Sequence, residues 1–188
     1  MIMDIFETDP DDSRIYLILS EASNIKKNNV ALIKELTEKD HRIIVITINE
    51  PASYLYELYK TGNVILEKVS FIDAISKFAM GKKPEGVPNS VFVNNPSDLT
   101  GLSIAVSNEL ANVTEEKTYV LIDSVNAMLI YLSSENLAKF MHFVSSKLKI
   151  LSISGIFLAI ERGLDPIIIS QLTSFSDDVI DMDSENKS

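Results

Sequence analysis

Four short, nearly continuous apolar runs constrain this chain most. They are Arg14 to Leu19 (RIYLIL), Arg42 to Ile48 (RIIVITI), Thr118 to Ile122 (TYVLI) and Ile153 to Ile160 (ISGIFLAI). They are rich in β-branched residues and lack polar alternation, the mark of strands buried on both faces. Shorter strands are expected at Val69 to Ile72, Val91 to Val93 and Asp178 to Met182. Helical patterns fill the gaps at Asn28 to Thr37, Ala52 to Thr61, Asp98 to Ala111, Glu135 to Leu148 and Pro166 to Ser174. Pro51 and Gly62 bracket the second of these, and Ser97 is the expected N-cap of the third. Strands alternating with helices predict βαβ units, a mainly parallel sheet of five to seven strands and helices on both faces. The expected fold is therefore a three-layer α/β domain.

Composition narrows the function. The chain has 188 residues, 46% of them apolar, which suits one globular domain. The expected division is an acidic, frayed segment over 1–12, one domain over 13–182 and a polar, disordered tail over 183–188. With no cysteine, disulfides, thiolate zinc sites and cysteine nucleophiles are excluded. Seventeen Lys and Arg against 27 Asp and Glu give a net charge of −10, which argues against a nucleic-acid partner. No apolar run approaches the ~20 residues of a membrane helix, and the acidic start suits no secretory or mitochondrial signal. The expected compartment is the cytoplasm.

In parallel sheets, ligands bind beyond the carboxyl ends of the strands. After the first strand comes Ser20-Glu21-Ala22-Ser23-Asn24-Ile25-Lys26-Lys27. A phosphate-binding loop, G-x-x-x-x-G-K-[ST], would sit here. Ser20 and Ile25 replace its glycines, Lys26 keeps its lysine, and Lys27 replaces the Mg²⁺-binding hydroxyl. A β-branched Ile25 resists the positive φ that such loops use and would intrude on phosphate space. The second strand ends in Asn49-Glu50-Pro51, where Glu50 can orient a water or simply complement a helix dipole. The strand Thr118 to Ile122 ends in Asp123-Ser124, a pair that suits either Mg²⁺ binding or helix capping. His41 and His142 have no metal-ligand spacing and read as structural. No Ser-His-Asp set or metal cluster is indicated.

Together these segments resemble the RecA-like P-loop ATPases, and within them the KaiC-like branch. Val93 to Leu110 (VNNPSDLTGLSIAVSNEL) is similar to the strand, "SPSDLT" turn and helix that precede the Walker B strand. Tyr119 to Ile130 (YVLIDSVNAMLI) resembles the Walker B strand and its "DS" helix. Tyr131 to Phe143, Gly155 to Glu161 and Arg42 to Pro51 resemble further segments, so the similarity spans about Arg14 to Asp181. The resemblance implies a RecA-like fold with a mainly parallel central sheet. It implies Asp123 as the Walker B carboxylate and Mg²⁺ ligand, Glu50 at the catalytic carboxylate position and Lys26 as the loop lysine. With Ser20, Ile25 and Lys27 departing from the motif, Ser20, Lys26, Lys27 and Asp123 are read as a vestigial nucleotide site. The expectation is a non-hydrolysing pseudo-ATPase without cofactor, acting through a protein partner or self-association. An ATP-binding protein or slow ATPase that uses Mg²⁺ is the alternative, and a DNA-associated role a third.

Overall fold

The computed structural model describes Phe6, residues 12–114 and residues 116–184. Seven strands form one sheet: β1 (Ile15–Ser20), β2 (Arg42–Thr47), β3 (Val69–Asp73), β4 (Ser90–Phe92), β5 (Thr118–Asp123), β6 (Ser154–Ile160) and β7 (Asp178–Asp181). All pairings are parallel, in the order β4-β3-β2-β5-β6-β1-β7. The helices are α1 (Ile25–Glu38), α2 (Ala52–Thr61), α3 (Ser76–Met80), α4 (Leu99–Ala111), α5 (Val125–Met128), α6 (Ser134–Ile150) and α7 (Pro166–Phe175).

The continuous apolar runs have a direct cause. Every residue of β1, β3 and β5 is buried, as are five of the six in β2. Alternate side chains then serve two separate cores. Tyr16, Ile18, Val45, Tyr119, Leu121, Ile156 and Leu158 pack with α1 and α2. Leu17, Leu19, Ile46, Val120, Ile122 and Phe157 pack with α4, α5, α6 and α7. This is the expected three-layer arrangement.

Three helices stop in the same way. At the ends of α1, α2 and α6, Asp40, Asn63 and Ser152 take the left-handed conformation, at φ 67, 58 and 54. The next amide then reaches back into the last turn: His41 N to Leu36 O, Val64 N to Tyr59 O and Ile153 N to Leu148 O. These are Schellman stops built on short polar residues that tolerate positive φ. Gly62, expected as the stop of α2, is its C-cap at ordinary φ, and Asn63 makes the turn. The cap of α4 also differs from expectation. Asp98 accepts from Gly101 N at 2.8 Å, whereas Ser97 donates to Asn95 Oδ1 at 2.6 Å. Gly101 makes this possible, because a Cβ there would collide with the Asp98 carboxylate.

Most of the expected frayed segment 1–12 and of the tail 183–188 lies outside the described residues. Phe6 is buried edge-on against Tyr16 and Tyr119, with ring centroids 5.2 and 5.7 Å away. Asp183, read as the start of the tail, is buried and bonded to the β1–α1 loop. Among the described residues, no helix is long and apolar enough to cross a membrane.

The strand order positions the site. From β1 the chain passes to β2, leaving a gap later filled by β6 and β5. Helix α1 makes that crossing and packs on β6 and β2. Its first two turns therefore face the carboxyl ends of the central strands, where the order of the sheet reverses.

Candidate functional site

Three of the residues singled out from the sequence come together at this edge. Lys26, at the start of α1, pairs with Glu50, just after β2, with Nζ 2.6 Å from Oε1. The same ammonium lies 5.1 Å from the centre of the Tyr54 ring on α2. The Glu50 hydrogen bond and charge raise the Lys26 pKa. Thr47 Oγ1 donates to the Glu50 carbonyl and fixes the turn that carries the acid.

Asp123 ends β5 and is 4% exposed. Burial, then the neighbouring Glu50 charge, raises its pKa to about 6, while Lys26 pulls the other way. Asn29, on α1, faces this carboxylate and also favours its charged form. The Asn29 Oδ1 accepts from the Tyr59 hydroxyl at 2.6 Å, but its buried Nδ2 has no hydrogen-bond partner of good geometry. The buried Tyr59 phenol is in turn pushed well above its ordinary pKa, by burial and by Asp123. Lys26, Glu50, Asp123, Asn29 and Tyr59 thus form one electrostatic group, with both carboxylates and one cation at its centre.

Ser20 belongs to an adjacent network. Its hydroxyl accepts from Asn28 Nδ2 at 2.8 Å and lies 3.2 Å from Asp183 Oδ2. The loop from β1 to α1 is a single turn, closed by Asn24 N to Glu21 O at 3.0 Å, and contains no residue at positive φ. Ile25 opens α1 and turns into the core with Tyr16 and Ile18. The expectation that its side chain intrudes on phosphate space is therefore corrected. Starting the helix at Ile25 rotates that side chain onto the buried face, alongside Asn28, Asn29, Leu32 and Leu36. Lys27 is exposed and joins neither network among the described residues.

Sequence reasoning missed Asn29, Asp183 and Asp73. Asp73 ends β3 fully buried, and its carboxylate accepts from Ala52 N, Ile75 N, Ser76 N and Ser76 Oγ. It ties the starts of α2 and α3 to the sheet. Ser124 caps α5 by accepting from Ala127 N at 3.4 Å. Asn126, two residues on, clamps the end of β6 through Ile160 N and O at 2.7 and 3.0 Å. His41 stacks obliquely near Tyr119, and His142 meets Phe175 edge-on, so both histidines sit in aromatic packing away from this edge. Among the described residues, no three His, Asp or Glu side chains are placed to hold a metal ion.

Residues 26–182 match the sequence profile of DUF7504, a family of unknown function. The chain belongs to the DUF7504 family. The profile begins at Lys26 and ends at Met182, so it includes Lys26, Glu50 and Asp123. No functionally curated protein matches this DUF7504 chain. Two solved structures from Pyrococcus horikoshii resemble it. One is the uncharacterised protein PH0321 in complex with an unknown peptide, with a TM-score of 0.72 at 13% identity, covering 96% of this chain and 81% of that one. The other is the KaiC-like protein PH0186, with a TM-score of 0.63 at 13% identity, covering 94% and 75%. The DUF7504 chain therefore shares the α/β fold of these two proteins, the RecA-like fold that its sequence resemblance implied.

Proposed function

We propose that this chain is a RecA/KaiC-like domain that does not hydrolyse ATP and acts through protein contacts, as a regulator or scaffold. The observation that carries the reading is the Lys26–Glu50 pair at 2.6 Å. The cation that would meet a terminal phosphate is held by the acid that would orient the attacking water. Phosphoryl transfer depends on positioning such groups around the phosphate. The loop before α1 supports the same reading, since it has no glycine between Ser20 and Lys27 to let backbone N–H groups wrap a phosphate.

Mg²⁺ fits the donors poorly. It needs close to six oxygens in octahedral geometry, and here Asp123 stands with Glu50 tied to Lys26 and a lysine at 27 in place of a hydroxyl.

Surface chemistry favours a protein partner or a second copy. Phe78 and Met80 are each 55% exposed, and Phe78 packs edge-on against Tyr131. On the outer side of α6, Phe143, Ile150 and Leu151 line an apolar groove of about 520 Å³ beside Lys139 and Lys147. The net charge of −10 suits a basic partner in the cytoplasm and disfavours nucleic acid. The PH0321 crystal contains a peptide, which is in keeping with peptide recognition on this fold.

One observation favours a second reading, that of an ATP-binding protein or slow ATPase. The Asp123 carboxylate is buried beside Glu50 at the end of β5 and is raised to about 6, an arrangement that a bound cation would relieve. Thermal unfolding with Mg-ATP separates the two. Ligand at ~100 times its Kd adds about 2.7 kcal/mol, roughly 5–10 °C for a chain of this size. The proposal expects no shift. A Mg²⁺-dependent shift that disappears in Lys26→Ala would establish the second reading instead.

A further inference from the structure

Lys26, Lys34, Lys39, Lys68, Lys139 and Lys149 each pair with a carboxylate of this acidic chain. The segment after β3 is different. Over 77–83 (KFAMGKK) stand Lys77, Lys82 and Lys83, with no Asp or Glu between them. Among the described residues, none of the three has a carboxylate within ion-pair distance. Lys77 Nζ instead donates to Asn94 Oδ1 at 2.6 Å, and Lys82 and Lys83 are exposed. In a chain of net charge −10 this is a local reversal of sign.

The same segment exposes its apolar side chains. Helix α3 has five residues, and both Phe78 and Met80 on it are more than half exposed. The Phe78 ring is backed edge-on by Tyr131, with centroids 6.1 Å apart, and Ile130 next to that tyrosine is 74% exposed. The platform is held from below. Asp73 accepts from Ser76 N at 2.8 Å and ties the start of α3 to the sheet. Gly81, at φ 70, ends the helix, and Val87 packs the far side of the loop onto the core. Apolar and cationic groups are thus presented together on braced backbone, which lowers the ordering cost of binding.

An occupant that fits must bring both carboxylates and a large apolar side chain. Methionine beside an aromatic ring adapts to such a side chain. An anionic bilayer is a poor match, because its extended negative plane meets the whole acidic chain. A short acidic segment meets this patch alone, since charges beyond about 8 Å are screened at physiological salt. A two-fold contact between copies would set these lysines against one another.

We propose that Lys77, Phe78, Met80, Lys82 and Lys83, with Ile130, form a docking surface for a short acidic segment of a partner protein. Its carboxylates meet the lysines, and its aromatic or aliphatic side chain seats on Phe78 and Met80. This rests on the protein-contact reading above and names the chemistry of the partner's contact. The rest of the chain's charge favours a partner that is basic elsewhere.

Fluorescence anisotropy tests it, with a short labelled peptide that alternates glutamate with leucine and phenylalanine, and a control peptide with glutamine in place of glutamate. The parent should bind the acidic peptide saturably and the control roughly tenfold more weakly or less. Lys82→Glu with Lys83→Glu should weaken binding by roughly tenfold or more, and Phe78→Ala by roughly fivefold. Lys82→Arg with Lys83→Arg should retain it. These positions are exposed, so melting temperatures should stay within about 2 °C of the parent. No saturable binding, equal binding of the two peptides, or equal binding by parent and variants overturns the proposal. Capture of the parent on phosphatidylserine vesicles, lost in Lys82→Glu with Lys83→Glu, would assign the surface to a membrane and overturn it. Concentration-dependent dimerisation lost in Phe78→Ala would assign it to a second copy and overturn it equally. ATP hydrolysis by the parent would overturn the proposed function and leave the peptide result standing, whereas failure of the peptide alone strikes only this surface.

Discussion

Two aspartates end the strands on either side of β2, at the same height. Thr47 pairs with Asp73 on one side and with Asp123 on the other. Both are buried, yet their surroundings differ completely. Asp73 is surrounded by donors from the starts of two helices. The Asp123 carboxylate is faced by the Asn29 amide and the Lys26 charge, and burial and another acid beside it outweigh them. A buried carboxylate is tolerable when several N–H groups hold it and costly when few do. Asp73 is therefore part of the scaffold, whereas Asp123 is a cost that the fold carries at the carboxyl edge of the sheet, where parallel sheets take their ligands.

The sharpest way to break this comparison is Asp73→Ala. It strands the buried donors of Ala52, Ile75 and Ser76, so the expected loss is about 4 kcal/mol or more, read by urea unfolding. A loss under about 1 kcal/mol would put Asp73 on the same footing as Asp123.

Asp123→Asn should act in the opposite direction. Burial and the Glu50 charge raise the folded-state pKa to about 6, from the ordinary aspartate value of about 3.9. Between these values the folded chain holds a proton that the unfolded chain has lost. Stability from this group is thus complete below about pH 4, falls as pH rises, and is lost above about pH 6. The shift corresponds to a cost on the order of 3 kcal/mol at pH 8. Asparagine removes the charge, so the variant should gain melting temperature at pH 8 and match the parent near pH 4. A variant less stable than the parent at pH 8 would mean that the carboxylate has partners in solution.

Lys26→Ala should have the smallest effect. The lysine side chain is 54% exposed, so its pair with Glu50 is screened and contributes at most about 1 kcal/mol. Because Lys26 favours the Asp123 charge, the loss should be larger at pH 8 than at pH 4. A pH-independent loss would uncouple Lys26 from Asp123.

The same contrast explains what the sequence disclosed. The buried strands announced themselves because burial on both faces removes polar alternation from β1, β2, β5 and β6. Lys26, Glu50 and Asp123 were legible because strand ends in a parallel sheet are few and face one edge. Asp73 obeys that rule too, but the apolar run was read as stopping at Ile72, one residue short. Asn29 carried a weaker signal: a polar residue on the face of α1 that bears Leu32, Ile33 and Leu36. Asp183 carried none, since its partners lie about 160 residues earlier and its neighbours Ser184 to Ser188 are polar. Its role depends on β7 lying next to β1, which no local pattern encodes. Family resemblance supplied the fold because the SDLT turn and the strand ending in Asp123 are kept. The loop from Ser20 to Lys27 is where the resemblance lapses, and there only coordinates reveal which donors have found partners.

On the proposed function, Lys26 and Glu50 are paired within the chain and the group they form with Asp123 does not receive a nucleotide. Calorimetric titration of Mg-ATP into the parent protein at pH 7.5, with Asp123→Asn alongside, tests it most directly. The account predicts no saturable heat for either protein. Saturable, Mg²⁺-dependent binding to the parent that Asp123→Asn abolishes would contradict it.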